Sequence, residues 1–391
     1  MATDQRFTGN AMNRDETPPG FPWQESPVRI FLSGDVMTGR GIDQVLPQHV
    51  DPEIYESYVK DARDYVRLAE KKNGRIPQPV SYAYIWGDAL EVWRKMAPDL
   101  KIMNLETSIT NHPEPWPGKP VQYRMHPANV AVFKTAGIDF CTLANNHTLD
   151  WNREGLLETL QTLRKAGINF AGAGENALEA RKPFIHKTRN SRIIIFAYGS
   201  ESSGIPGNWV ATTTNSGVNL LPDLGEETLG MIKAQVKAIK KSGDVVVFSV
   251  HWDTNWGYEI PPNHRKFARQ LIDEAEVDLI HGHSSHHPRG IEVYKDKLIL
   301  YGAGDFINDY EGIGSYEEFR GDLSLMYFPE INPVTGKLIS LKMVPMQMRN
   351  FRLNRASAAD AKWLSSVLDR ESEKFGTRVT LQEDHVLTAR W

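Results

Sequence analysis

Cysteine is almost missing: the 391 residues contain one, Cys141. That excludes an internal disulfide and fits a reducing compartment. The residue falls inside the apolar stretch FCTLAN, where a buried, inert thiol is expected. Long apolar runs are missing too. The longest, Ile193–Ala197 and Val245–Phe248, fall far short of the ~20 residues needed to span a bilayer. The polar N-terminus, MATDQRFTGNAMNRDETPPG, lacks the apolar stretch of a secretory signal. Neither sign of charge dominates, with 45 Lys and Arg against 49 Asp and Glu and no basic block. Nothing in that balance points to a nucleic-acid partner. The expectation is a soluble, cytoplasmic protein without membrane insertion.

Short β-rich runs alternate with amphipathic segments along the chain. Strands are predicted at 28–33, 100–104, 140–144, 168–171, 192–198, 244–250, 277–281, 291–293, 297–301, 323–328 and 337–346. Helices are predicted at 81–96, 127–136, 153–166, 225–242, 264–275 and 358–375, with Asn152 and Ser357 as N-caps. This alternation indicates an α/β protein. Residues 1–27, rich in Pro, Gly and polar side chains, read as an extended arm. Residues 28–347 read as one domain and 348–391 as a helical tail. A Pro/Gly-containing stretch at 201–223 reads as a long loop, and long loops are often functional.

Chemistry gathers where the apolar runs stop. Asp35 follows RIFLSG, Glu106 follows KIMNL, and Asn145, Asn146 and His147 follow FCTLA. His251 ends VVVFSVH. After VDLI come His281, His283, His286 and His287, four of the chain's twelve histidines within seven residues. Any one of these is ordinarily a packed histidine or a turn residue. Five coincident strand ends are harder to explain that way, because α/β sheets gather ligand sites beyond the carboxyl ends of their strands. Carboxylates, an amide and imidazoles without a thiolate suit a divalent cation such as Mn, Zn or Fe, as one or two ions.

The motifs GDVMTGR (34–40), NLETS (104–108), ANNHTLD (144–150), SVHWD (249–253) and GHSSHHPRGIEVY (282–294) occur in an order that resembles the CapA family of poly-γ-glutamate capsule proteins. That family is similar to the calcineurin-like metallophosphatases. The likeness covers about residues 28–329. It implies a sandwich of two packed mixed sheets flanked by helices. It implies Asp35, Glu106, Asn146, His251, His283 and His286 as metal ligands, with His147 facing the substrate as a catalytic group. His281 and His287 would buttress the cavity. Two departures stand out. Phosphatases of this kind read Asp-x-His at the first motif, whereas this chain has Met37, and a thioether is a poor ligand for hard cations. The closing pair is separated by two residues rather than one.

Arg40, Arg289, Arg124 and Lys119 are candidate cations for an anionic substrate, and each also reads as a solvated or structural charge. Arg40 is taken with His147 as a catalytic candidate. In HWDTNWGYE, Asp253 or Glu259 could accept a proton beside a wall of aromatic rings; a packed loop is the alternative. Gly304-Asp305-Phe306 reads as a tight turn that shapes the pocket, with a hydrogen bond to a ligand histidine as a further role. Gly172-Ala-Gly174 lacks the spacing of a phosphate loop. The resemblance implies a metal-dependent hydrolase acting on a phosphoester or on a glutamyl or peptide amide. The substrate would be an anionic small molecule, peptide or polyglutamate. A metal-dependent peptide epimerase and a non-catalytic partner in capsule-polymer assembly remain as alternatives.

Overall fold

The computed structural model describes residues 26–189, 191–314 and 316–391. The expected arm at 1–27 lies, but for its last two residues, outside the described residues.

Two β-sheets carry the fold. The first orders its strands Arg378–Leu381, Leu387–Arg390, Leu338–Met348, Leu323–Ile331, Val28–Val36, Leu100–Leu105, Phe140–Thr142 and Asn169–Ala171, with Asp305–Ile307 beside Val28–Val36 and Leu353–Arg355 beside Leu338–Met348. The second orders Ile291–Tyr294, Lys297–Leu300, Leu279–His283, Asp244–His251, Arg192–Gly199 and Phe184–Lys187. Both are mixed. In the first, the half from Val28–Val36 to Asn169–Ala171 is parallel and the other half antiparallel; in the second, parallel pairs hold the centre and antiparallel pairs the two edges.

The period of two along each strand decides which residues meet. Ile30, Leu32 and Ile102 of the first sheet share one core with Ile193, Ile195, Val245 and Val247 of the second. Their sequence neighbours face the other way. Phe31 and Met103 pack under the helices Ala89–Met96, Ala131–Ala136 and Asn152–Ala166. Ile194, Phe196, Val246 and Phe248 pack under Glu226–Ile239 and Pro262–Ala275. The result is the predicted sandwich: two sheets face to face with helices outside. Each fully buried Val, Leu, Ile or Phe contributes roughly 1.5–3 kcal/mol.

Several elements depart from the sequence reading. Ser357 does cap its helix, accepting the Asp360 N–H at 3.1 Å. Asn152 does not cap; it is the first helical residue, at φ 60°, and its amide donates to the Glu114 carbonyl at 3.0 Å instead. The region 348–391 is not a helical tail. It holds the helix Ala358–Glu373 and three strands, and all three strands belong to the first sheet. Val379 and Leu387 are buried in the core between the sheets, which binds the end of the chain to the body. The stretch 201–223 is ordered by two short 3-10 turns, Glu201–Ser203 and Gly207–Trp209, and by the strand Gly217–Val218, with Trp209 fully buried. Among the described residues, no helix is long and apolar enough to cross a membrane.

Candidate functional site

The two sheets bring their strand ends to one place. His251 and His283 are register partners on adjacent parallel strands. Asp35 ends its strand on the facing sheet, level with Asn104. The His281 ring ties the sheets together, with Nε2 2.9 Å from the Ser33 carbonyl and Nδ1 3.0 Å from Ser249 Oγ. Ser249 also meets His283 Nε2 at 3.0 Å.

Asp35, His251 and His283 form the inner group. The Nδ1 atoms of His251 and His283 lie 2.8 Å apart and 3.9 and 4.0 Å from Asp35 Oδ1. The far nitrogens of both rings are engaged elsewhere, His251 Nε2 by Asn146 Oδ1 at 3.1 Å and His283 Nε2 by Ser249. Both Nδ1 atoms therefore turn to the same point as the carboxylate. Burial, reinforced by neighbouring histidines, drives both imidazoles well below their ordinary pKa, so they are neutral, the form that binds a cation.

The carboxylates tell the same story from the other side. Asp35, Glu106 and Asp305 are all buried. Asn104 donates to Asp35 Oδ1 at 2.7 Å and to Glu106 Oε2 at 3.2 Å. Burial pushes Asp35 up to about 6, with the Asp305 charge adding to it. Burial and the Asp35 charge hold Glu106 well above the carboxylate range. Asp35 Oδ2 is buried without a hydrogen-bond partner. Clustered buried carboxylates are costly unless a proton or a cation lies among them. The orphaned oxygen and the mixed donor set both fit a divalent metal.

A second group of donors shares Asp35. His286 Nδ1 meets Asp305 Oδ1 at 2.9 Å, and donor atoms of Asp35, His286 and Asp305 lie within 4.8 Å of one another. Burial alone would lower the His286 pKa; Asp305 outweighs it and raises it.

Beside these groups sits His147. Its Nδ1 is 2.6 Å from Asp150 Oδ2 and 3.1 Å from Lys119 Nζ, its Nε2 is 3.9 Å from Glu106, and Tyr123 stacks on the ring at 3.8 Å. Burial lowers its pKa to about 4 in spite of Asp150. The model for "Bacterial capsule synthesis protein PGA_cap" matches residues 29–310. A probable polyglutamine synthesis accessory protein of Mycobacterium tuberculosis is 46% identical over 362 residues, covering 92% of this chain and 95% of the relative. The chain belongs to the PGA_cap family of bacterial capsule synthesis proteins.

Other PGA_cap relatives are more distant. The PGA biosynthesis protein CapA of Bacillus subtilis is 26% identical over 297 residues, covering 75% of this chain and 67% of that protein. The capsule biosynthesis protein CapA of Bacillus anthracis is 25% identical over 281 residues, covering 72% and 59%.

Within this PGA_cap chain, Asp35, His251 and His283 lie together and Asp35 and His286 lie with Asp305; Glu106 is joined to Asp35 through Asn104, Asn146 meets His251, and His147 stands beside Glu106. Two expectations need correction. Arg40 reaches the cavity wall, but each guanidinium nitrogen is committed: Nε and Nη2 to Asp309, Nη1 to Glu56 and Tyr65 at 2.9 Å each. It is a buried structural cation. Asp253 pairs with Arg289 behind the site and does not line the cavity. Glu259 is exposed and away from it. Arg124 lies 3.6 Å over the Trp151 ring and donates to the His112 carbonyl. Lys119 alone of the candidate cations touches a site residue, and it also pairs with Asp150 at 2.6 Å.

His287, like His281, is a buttress: it accepts the Gly257 N–H at 3.1 Å and stacks on Phe319. Asp150 was missed as a site residue; Asp305 was expected to shape the pocket and to hydrogen-bond a site histidine, and it meets His286 Nδ1 at 2.9 Å. Asp150 stands three residues after His147 in a quoted motif. Asp305 opens a short strand that the sequence reading took for a turn. The site opens into a cavity of ≈ 1180 Å³ whose wall includes Trp116, Trp256, Tyr310 and Tyr316.

Proposed function

We propose that this protein is a metal-dependent hydrolase acting on an anionic chain, with a glutamyl amide or a phosphoester as the bond cleaved. The observation that carries this reading is the meeting of His251 and His283 with Asp35, whose Oδ2 is buried and unpartnered, beside Asn146, His147 and His286 on the wall of a large cavity. Asp35, Glu106, His251, His283 and His286 would hold the ion, with Asn146 against His251. A divalent cation bound there would supply Lewis acidity, drawing charge from a carbonyl or phosphoryl oxygen and acidifying water.

The residues of the chain do the rest. Asp150 fixes one nitrogen of His147 and leaves Nε2 turned towards the Glu106 side. That nitrogen is placed to exchange a proton with the attacking or leaving atom. Lys119 stands beside it with Nζ 3.1 Å from Nδ1, a suitable neighbour for a developing anion. Lys72 and Arg349, both exposed on the cavity wall, would receive further negative charge from a long substrate. The names of the relatives, which speak of polyglutamine and PGA synthesis, favour a glutamyl chain.

The test is to incubate the Mn-loaded protein with poly-γ-glutamate and, separately, with a phosphodiester, and to follow amine and phosphate release. Release of either, lost in His147→Ala, is expected. Solvent deuterium entering Cα without chain cleavage would replace hydrolysis with epimerisation. Metal-free protein that turns over nothing would favour a partner role in polymer assembly.

A further inference from the structure

Met37 removes an expected ligand, yet the space beside Asp35 is not left without donors. The backbone N–H of Met37 donates to the Ile307 carbonyl at 2.9 Å. That bond is part of a parallel pairing in which Asp305 stands level with Asp35. Two glycines allow the close approach. A methyl at Gly34 would sit 1.9 Å from the Gly304 carbonyl oxygen, and Gly304 itself has φ 78° and lies against Pro288. Only with both positions bare can the two carboxylates be drawn together.

Resting on the metal reading above, we propose that Asp305 is a ligand of a second cation position, shared with Asp35 and His286. The two positions differ in chemistry. The inner one offers one carboxylate and two imidazoles, and the outer one offers two carboxylates and one imidazole. Nitrogen-rich sets suit Zn²⁺; oxygen-rich sets suit harder cations such as Mn²⁺ or Mg²⁺. Asp35 belongs to both, and its Oδ2, buried and unpartnered, is a free donor. Asp305 is itself oriented from behind, since Asn308 Nδ2 donates to its Oδ2 at 2.9 Å. A carboxylate held this way is a positioned ligand rather than a turn residue. A carboxylate from the neighbouring strand thus takes the place that a side chain two residues after Asp35 would otherwise fill.

The experiment counts ions. Metal-stripped full-length protein is titrated with Mn²⁺, followed by calorimetry and paramagnetic resonance, alongside Asp305→Ala and His251→Ala. Two equivalents are expected in the wild type and one in each variant, with the fold of each checked by circular dichroism. Asp305→Asn keeps the shape and is expected to weaken one equivalent by about tenfold or more. Zn²⁺ added to the Mn-loaded protein should first displace the equivalent that depends on His251. Two equivalents retained in Asp305→Ala would overturn the proposal, as would a single wild-type equivalent that Asp305→Ala leaves untouched. Displacing the Asp305-dependent ion first would overturn the assignment of the two positions. A wild type that binds no ion would overturn the hydrolase reading as well.

Discussion

His147 and His251 stand close together and separate two jobs. His251 offers Nδ1 to the shared point with Asp35, so His251→Ala should lose one metal equivalent while the far-ultraviolet spectrum stays native. His147 is held by Asp150 and Lys119 and faces Glu106. His147→Ala should therefore keep its metal and lose about 10²- to 10⁴-fold in turnover, the usual share of a positioned acid or base. Equal metal loss in both variants would remove the distinction. Arg40 gives a different kind of test. Arg40→Met keeps the length but leaves Glu56 and Asp309 buried without their counter-charge. That costs about 3–5 kcal/mol, read as a lower denaturant midpoint at unchanged slope. A normal midpoint with lost turnover would instead return Arg40 to the catalytic group.

Among elements, the C-terminal strands decide where the domain ends. Leu387 pairs with Met343 and is buried between the sheets. Leu387→Ala should destabilise the whole fold by about 2–5 kcal/mol in one cooperative transition, whereas a loosely attached tail would lose far less. The central strands and most helices were legible because their apolar spacing is unambiguous, as in Arg192–Gly199 and Glu226–Ile239. The candidate site was legible for a related reason: its side chains stand at the ends of strands. Elements built from few residues or weak periodicity were not legible. Asp305–Ile307 is three residues long and exists through its partner strand. Arg40, at the start of a short helix after the first strand, looks the same on paper whether it greets a substrate or two buried carboxylates. Only the distant Glu56 and Asp309 decide that.

The response of stability to pH belongs to the molecule as a whole, and Asp43 gives a clean component of it. Burial pushes this carboxyl up to about 6, although the His126 and Val50 N–H groups and the Asn129 amide pull it back. A raised folded pKa means stability that is present below the unfolded value near 3.8 and is lost as pH rises through 6. Relative to wild type, Asp43→Asn should gain stability between pH 4 and 7, by at most about 3 kcal/mol. Denaturant midpoints of both proteins at those pH values measure it, and a constant gap would refute it.

The pairing of Asp35 with Asp305 has one more consequence, which concerns birth rather than catalysis. The cradle unites residues that lie far apart in the sequence. A ribosome must release most of the polypeptide before the last carboxylate can arrive. Nascent chains that stop short of Asp305 therefore lack this facing pair of carboxylates, and the cradle forms late in synthesis.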